Sequence, residues 1–344
     1  MTDYIDESFG FPKEAKGWLH YGVHGGKFMR LVTRSDFDGL ACAVLLKEAG
    51  IIESRLFVHP KDVQDGLVEV NENDVLANVP YAEGCGLWFD HHSSEEERLK
   101  LGNRFAGASR PAPSAARVIY DYYGGEKKFG HLRELMAAVD KSDSGQLSAD
   151  EIINPQGWIL LSFIMDPRTG LGRFRDYRIS NYQLMDDLIE YCGKISIEEI
   201  LQIPDVQERV KRYFEQNELF KHMILQHTRT DGNVIVTDLR GEEVIYSGNR
   251  FLIYSLYPNQ NISVWLIDGR NKQNCVYAVG RSIINRSSKT DVGSLMFKYG
   301  GGGHKAVGTC QVPYENADAV LNALVSTMPP FRLPLRPSFS AGRG

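Results

Sequence analysis

Phe28 to Gly50 reads FMRLVTRSDFDGLACAVLLKEAG, and this stretch decides the fold. Its first six residues, FMRLVT, form an apolar run that suits a buried strand. A polar turn carrying Asp36, Asp38 and Gly39 follows. LACAVLLKEA then predicts a helix over Leu40 to Ala49, closed by Gly50 where a helix commonly ends in the left-handed conformation. Strand, acidic turn and helix in this order open a βαβ unit. Working outward, Arg55 to His59, Val75 to Ala77 and Gly86 to Phe89 (GLWF) are further short strand candidates. Pro111 to Tyr123 and His131 to Val139 are helical stretches. The alternation predicts an α/β fold with a doubly wound, mostly parallel sheet in the N-terminal half.

The middle of the chain changes character. From about Ser180 to Gln226, segments such as SIEEILQI and VQERVKRYFEQNELFKHMILQH place apolar residues at three- and four-residue spacing, which predicts helices. From Asn233 the runs NVIVTDL, RFLIYSLY, ISVWLIDG and CVYAVGRS predict strands of a second, smaller mixed sheet. A last helix is expected over Glu315 to Met328. The expected organisation is a first domain over 1–180, a helical connector over 181–230, a second α/β domain over 231–330 and a loose tail over 331–344. The hinge is expected near Arg229 to Gly232.

Composition narrows the function classes. The chain has 344 residues, too many for one ordinary core, with 42% hydrophobic and 24% charged residues, as in a globular protein. The most apolar stretch, Trp158 to Met165, has eight residues against the roughly 20 that cross a bilayer, so no membrane partner is expected. The opening MTDYIDESFG has neither the basic nor the apolar region of a signal peptide. A net charge of -5 argues against a protein that coats long nucleic acid, while leaving room for a locally positive pocket. Cys42, Cys85, Cys192, Cys275 and Cys310 are scattered without CxxC spacing. They exclude a disulfide scaffold and a thiolate zinc site, and point to a reduced, cytoplasmic chain.

Three clusters carry chemistry. Asp36 and Asp38 flank Phe37 directly after a strand, where ligands collect in open α/β sheets. Two carboxylates so spaced can serve divalent cations, while a turn in which Asp38 caps the helix accounts for the same residues. Asp90, His91 and His92 end another apolar strand. One His there can ligate a metal, and the other can contact an anion or move a proton. Gly300 to Gly303 with His304 (YGGGGHKAVG) let the backbone approach a ligand and present N–H groups to an anion, without the Lys-Ser/Thr of a P-loop. A flexible loop is the simpler alternative for the glycines.

Taken together, DFDG, then DHH, then a distant GGGGH resembles the DHH phosphoesterase superfamily, over about Arg30 to Gly308. Within it the chain looks closest to the small two-domain members: nanoRNases, cyclic-dinucleotide phosphodiesterases and exopolyphosphatase-related proteins. The resemblance implies a catalytic N-terminal domain, a C-terminal DHH-associated substrate domain and two metal ions, most simply Mn²⁺ with Mg²⁺ as the alternative. Asp36, Asp38 and His91 match its metal ligands. His92 would contact the scissile phosphate and Asp90 would support the metal site. A further family Asp corresponds to Asp140 or Asp143 in AAVDKSDSG, with Asp143 the better match to an Asp-Thr-Gly pattern and Asp140 closer to the helix. Arg281, Gly301, Gly302, Gly303 and His304 match the substrate-binding positions. A homodimer is compatible with the resemblance.

The chain also departs from the pattern. Where the family has a His before the first Asp pair, this chain has Val32-Thr33-Arg34-Ser35. Where the family has a bridging Asp at a strand end, the best match is Asn78, with Asp74 the poorer one. Neutral Asn is a weak ligand, Arg34 can hold a phosphate oxygen, and His59 is a candidate replacement. Three functions follow. The first is a metal-dependent phosphodiesterase, a hydrolase acting on short oligonucleotides or cyclic dinucleotides between two domains. The alternatives are a nucleotide- or phosphate-binding protein that has lost catalysis, and a polyphosphate hydrolase. His20, His24, His131, His222 and His227 read as surface or packing residues, and Glu95 to Glu97 as an exposed helix start.

Overall fold

The structure is a computed structural model that describes residues 28–92 and 105–328. His20, His24, Glu95 to Glu97 and the tail over 331–344 lie outside the described residues. The chain divides into two compact units. Among the described residues, one takes 28–221 with 246–252, and the other takes 222–245 with 253–328.

The first unit is built on β1 (Met29–Arg34), β2 (Ile52–Val58), β3 (Asp74–Ala77), β4 (Leu87–Asp90) and β5 (Gly107–Ser109). The order is β2-β1-β3-β4-β5 and every pairing is parallel, as the alternation predicts. Leu31, Val32, Val75, Leu76, Trp88 and Phe89 are all fully buried. That is the mark of strands covered on both faces, and it explains why they read as continuous apolar runs. Helix α1 (Phe37–Glu48) begins three residues before its expected start, because Asp36 caps it: the Gly39 N–H donates to Asp36 Oδ1 at 2.9 Å. Gly50 follows with φ 74°, in the left-handed conformation expected of it. Phe37 to Leu46 are buried without a break, so α1 is a core helix rather than an amphipathic one.

After α2 (Pro60–Gln64) come α3 (Ala115–Tyr122), capped by Ser114, and α4 (Arg133–Asp143). The apolar run Trp158 to Met165 is a buried helix, α5 (Gly157–Met165), packed on α4. The charged middle of the chain is helical as expected: α6 (Asn181–Tyr191), packed on α1, then α7 (Ile197–Gln202) and the 24-residue α8 (Pro204–His227).

Parallel register places the site. Thr33 pairs with Ala77, and Ala77 with Phe89. The next residues, Arg34, Asn78 and Asp90, therefore stand side by side where β1, β3 and β4 end.

The second unit holds β6 (Thr228–Asp231), β7 (Val234–Asp238), β8 (Ile262–Asp268), β9 (Cys275–Arg281), β10 (Gly302–Gly303) and β11 (Val307–Val312) in the order β10-β11-β9-β8-β7-β6. Only the β7–β8 pair is parallel, so the sheet is mixed. Arg229 to Gly232 lie in the β6–β7 hairpin. One expected strand is a helix instead: within RFLIYSLY, Leu252–Leu256 forms α9. Leu252, Ile253 and Tyr254 are buried in succession, which breaks a two-residue period. Asn249 also turns the chain into the helix, its side chain accepting from Phe251 N at 3.0 Å. Helices α10 (Val292–Phe297) and α11 (Tyr314–Thr327) cover the sheet, with Val292, Met296, Leu321 and Leu324 packed against Val264, Tyr277 and Val279.

Candidate active site

His91 leaves the end of β4 with its Nδ1 3.1 Å from the Ala112 carbonyl. With the Nδ1 proton donated there, Nε2 carries a lone pair. That Nε2 is buried and has no hydrogen-bond partner. It faces Asp38 Oδ2 at 3.8 Å and Asp143 Oδ2 at 3.3 Å.

Asp38 is aimed by α3. The N–H of Ala115 donates to Oδ2 at 2.9 Å and that of Ala116 to Oδ1 at 2.8 Å. Cys42 Sγ donates to Oδ1 as well, at 3.8 Å, so Oδ2, the oxygen that faces His91, is the one that keeps a lone pair. Burial, followed by the nearby charges of Asp143 and Asp36, pushes the Asp38 carboxyl well above the usual carboxylate range. Burial raises Asp143 too, against the opposing pull of His91. The buried Asp38 carboxylate and the solvent-accessible Asp143 carboxylate, facing one imidazole nitrogen without a hydrogen-bond partner, form a donor set that suits a hard divalent cation.

The two acids that the sequence leaves open sit differently. Asp143, at the end of α4, faces His91. Asp140, one turn earlier, is held by Arg117 at 2.6 and 2.9 Å and by Ser114 Oγ at 2.8 Å. Asp36 is engaged on both oxygens: Gly39 N and Asn78 Nδ2 donate to Oδ1, the latter at 3.0 Å, and Arg34 Nε lies 3.2 Å from Oδ2. Asn78 has φ 56°, a left-handed conformation that Asn tolerates better than most residues. Asp74 lies at the opposite end of β3, paired with Arg30 at 2.7 and 2.8 Å. His59 follows β2 and caps α2, its Nδ1 accepting from Lys61 N.

His92 Nδ1 lies 2.9 Å from Asp90 Oδ1, and its ring sits 4.1 Å from that of His91. Burial acts to lower its pKa, but the hydrogen bond and charge of Asp90, with Asp143 and Asp38 behind it, raise it to about 9. At neutral pH His92 is therefore a cation beside the cluster.

The sequence reading missed one residue. Arg168 lines, with Asp36, Asp38, Ser142, Asp143 and Ser162, a cavity of about 30 Å³, room for one ion- or water-sized occupant. Its Nε donates to Asp166 at 2.7 Å. Burial opposes its charge, but Asp166, Asp36 and Asp143 hold the guanidinium protonated. The DPRTG turn after α5 was visible in the sequence, with Pro at the first turn position. Turn chemistry does not say where the Arg points.

Among solved structures, the chain is similar to the pGpG-specific phosphodiesterase PggH from Vibrio cholerae. The two share 51% identity with a TM-score of 0.78, over 87% of this chain and 98% of that one. The chain belongs to the DHH phosphoesterase superfamily. The DHH domain of a protein described as a ribosomal-protein family member shares the fold, at 14% identity and a TM-score of 0.54 over 87% of this chain and 86% of that one. No family model and no curated protein sequence matches the chain.

In this DHH superfamily member the glycine motif is built rather than floppy. A Cβ at Gly301 would meet the Thr309 carbonyl at 2.0 Å, and Gly303 has φ 149°, so both positions demand glycine. Gly293 N, at the start of α10, donates to the His304 carbonyl at 2.8 Å and ties the loop down. Gly302 has open space around it. Arg281 N donates to the Ala306 carbonyl, and its side chain reaches the Thr290 carbonyl at 2.7 Å. The structure thus brings Arg281, the glycines and His304 together within the second unit. The Asp38–His91–Asp143 cluster stands within the first.

Proposed function

We propose that the protein is a divalent-metal-dependent phosphodiesterase acting on a short, linear dinucleotide of the pGpG kind. One observation carries the reading: a buried, unpartnered His91 Nε2 faces two carboxylates, in a chain 51% identical to a pGpG-specific phosphodiesterase. Asp38, His91 and Asp143 are the residues that hold the cation, and oxygen and imidazole donors suit Mn²⁺. A divalent cation so held polarises a phosphoryl oxygen and lowers the pKa of water.

The chain's own groups do the rest. His92, kept charged by Asp90, faces the scissile phosphate. Arg168, fixed by Asp166, holds a phosphate oxygen through its guanidinium fork. Arg281, Gly301, Gly302, Gly303 and His304 are the proposed substrate-binding residues of the second unit. Catalysis is assigned to the first unit and substrate binding to the second. Five free cysteines suit a reducing, cytoplasmic setting.

The test is incubation of purified protein with pGpG, pApA, a cyclic dinucleotide and polyphosphate, with and without Mn²⁺, followed by chromatography. Mn²⁺-dependent mononucleotide release from pGpG, absent in Asp143→Asn, supports the reading. Nucleotide binding without turnover makes the protein a binder. Cleavage of polyphosphate alone makes it a phosphoanhydride hydrolase.

A further inference from the structure

His91, Asp38 and Asp36 do not have equal capacity for metal. His91 Nε2 has no hydrogen-bond partner and faces Asp38 and Asp143. Asp38 Oδ1 accepts from Ala116 N and Cys42 Sγ, but its Oδ2 accepts only from Ala115 N and keeps a lone pair toward His91. Asp36 differs. Its Oδ1 accepts from both Gly39 N and Asn78 Nδ2, which fills that oxygen, and its Oδ2 faces the Arg34 guanidinium at 3.2 Å. Asp36 is buried, so its charge needs a partner, and Arg34 is that partner. A cation bound at Asp36 would have to displace Arg34 or sit beside its positive charge in a shielded place, where like charges repel strongly.

Register sets the backbone positions behind this arrangement. Arg34 and Asn78 are the residues that follow the Thr33–Ala77 pair of adjacent strands. The sheet thus sets the two residues side by side, and their side chains reach the two oxygens of Asp36. The pair of ions implied by the sequence resemblance does not fit this donor set.

Resting on the metal-dependent reading above, we propose that the centre is mononuclear. One divalent cation sits at Asp38, His91 and Asp143, while Arg34, fixed by Asp36 and supported by Asn78, supplies a permanent second positive charge. A guanidinium in that place stabilises phosphate charge without ever dissociating. Asp36 then orients Arg34 and is not a ligand.

The test counts metal independently of activity. Full-length protein is saturated with Mn²⁺ and freed of excess, and its metal is measured by mass spectrometry and electron paramagnetic resonance. The expected result is one Mn²⁺ per chain with the six-line spectrum of an isolated ion, falling to none in His91→Ala and staying at one in Asp36→Asn. Two Mn²⁺ per chain, or the spectrum of a coupled pair, overturns the proposal and leaves the phosphodiesterase reading standing. Loss of the ion in Asp36→Asn makes Asp36 a ligand and also overturns it. No Mn²⁺ bound to the wild type overturns both.

Discussion

His91 Nε2 stands 3.3 Å from the Asp143 carboxylate, with no hydrogen-bond partner of its own. One residue follows a strand and the other ends a helix, and neither position is pinned to the other by a local motif. A buried polar atom left unsatisfied costs stability, on the order of 1–3 kcal/mol. Here the atom is aimed at two carboxylates, one of which has its pKa pushed well up. In the proposed reading, a divalent cation held there would satisfy that atom.

Metal binding should therefore be linked to pH. Asp38 and Asp143 have raised pKa values in the folded protein, so they hold protons above the ordinary carboxylate range. Below the unfolded value of about 3.9 both folded and unfolded states are protonated. As pH rises from there, the unfolded state ionises first, and these two groups make the metal-free protein progressively less stable until their folded pKa values are passed. Asp38→Asn should thus flatten this pH dependence, while its Nδ2 forfeits one of the two backbone hydrogen bonds from α3. Mn²⁺ affinity should rise over the same window, with proton release visible by calorimetry in buffers of different ionisation heat. At 100 times its dissociation constant, Mn²⁺ should stabilise the wild type by about 2.7 kcal/mol and His91→Ala not at all.

Asp140 and Asp143 should separate stability from activity. Asp140→Ala breaks the pair with Arg117 and the Ser114 hydrogen bond, and should cost about 1–3 kcal/mol in chemical denaturation with Mn²⁺ stoichiometry unchanged. Asp143→Asn should leave stability near wild type or above it and lower turnover of pGpG at least about 100-fold. The reverse pattern would exchange their roles.

Arg168 should act on substrate rather than on metal. Arg168→Ala should lower kcat/KM for pGpG about ten- to hundredfold, as expected for the loss of a charge-assisted hydrogen bond of about 1.5–3 kcal/mol. Mn²⁺ affinity should not weaken, because a positive charge has left the cavity. Arg168→Lys should recover only part of the loss, since an ammonium lacks the fork. A fall in metal affinity with unchanged KM would contradict this role.

His92 should be charged at neutral pH in the metal-free protein. Its pKa is raised to about 9, so the stabilisation it draws from Asp90 is fully present below about 6.5 and is lost as pH rises through about 9. An NMR titration of the imidazole resonances should place this midpoint, and the corresponding loss of stability should vanish in His92→Gln.

Much of this was legible in the sequence. The strands β1, β3 and β4 read as apolar runs because both faces of the sheet are covered. The acids and histidines that follow them mark the ligand-binding edge for the same reason. Arg34 and Asn78 stood out as departures, but their meeting on Asp36 depends on the Thr33–Ala77 register, which is not written in either segment alone. Which of Asp140 and Asp143 faces His91 depends on helix phase at the end of α4, where a few residues of boundary error rotate a side chain to another face. RFLIYSLY was misread because a short apolar run carries no decisive period, and its Asn249 start signal works through a side chain. Arg168 went unseen because a Pro turn announces a change of direction and not its target.

The most direct test of the central claim is chromatography of pGpG after incubation with the purified protein and Mn²⁺, alongside His91→Ala. The account predicts mononucleotide release that requires both Mn²⁺ and His91. Intact pGpG in the presence of Mn²⁺-loaded wild-type protein would contradict it.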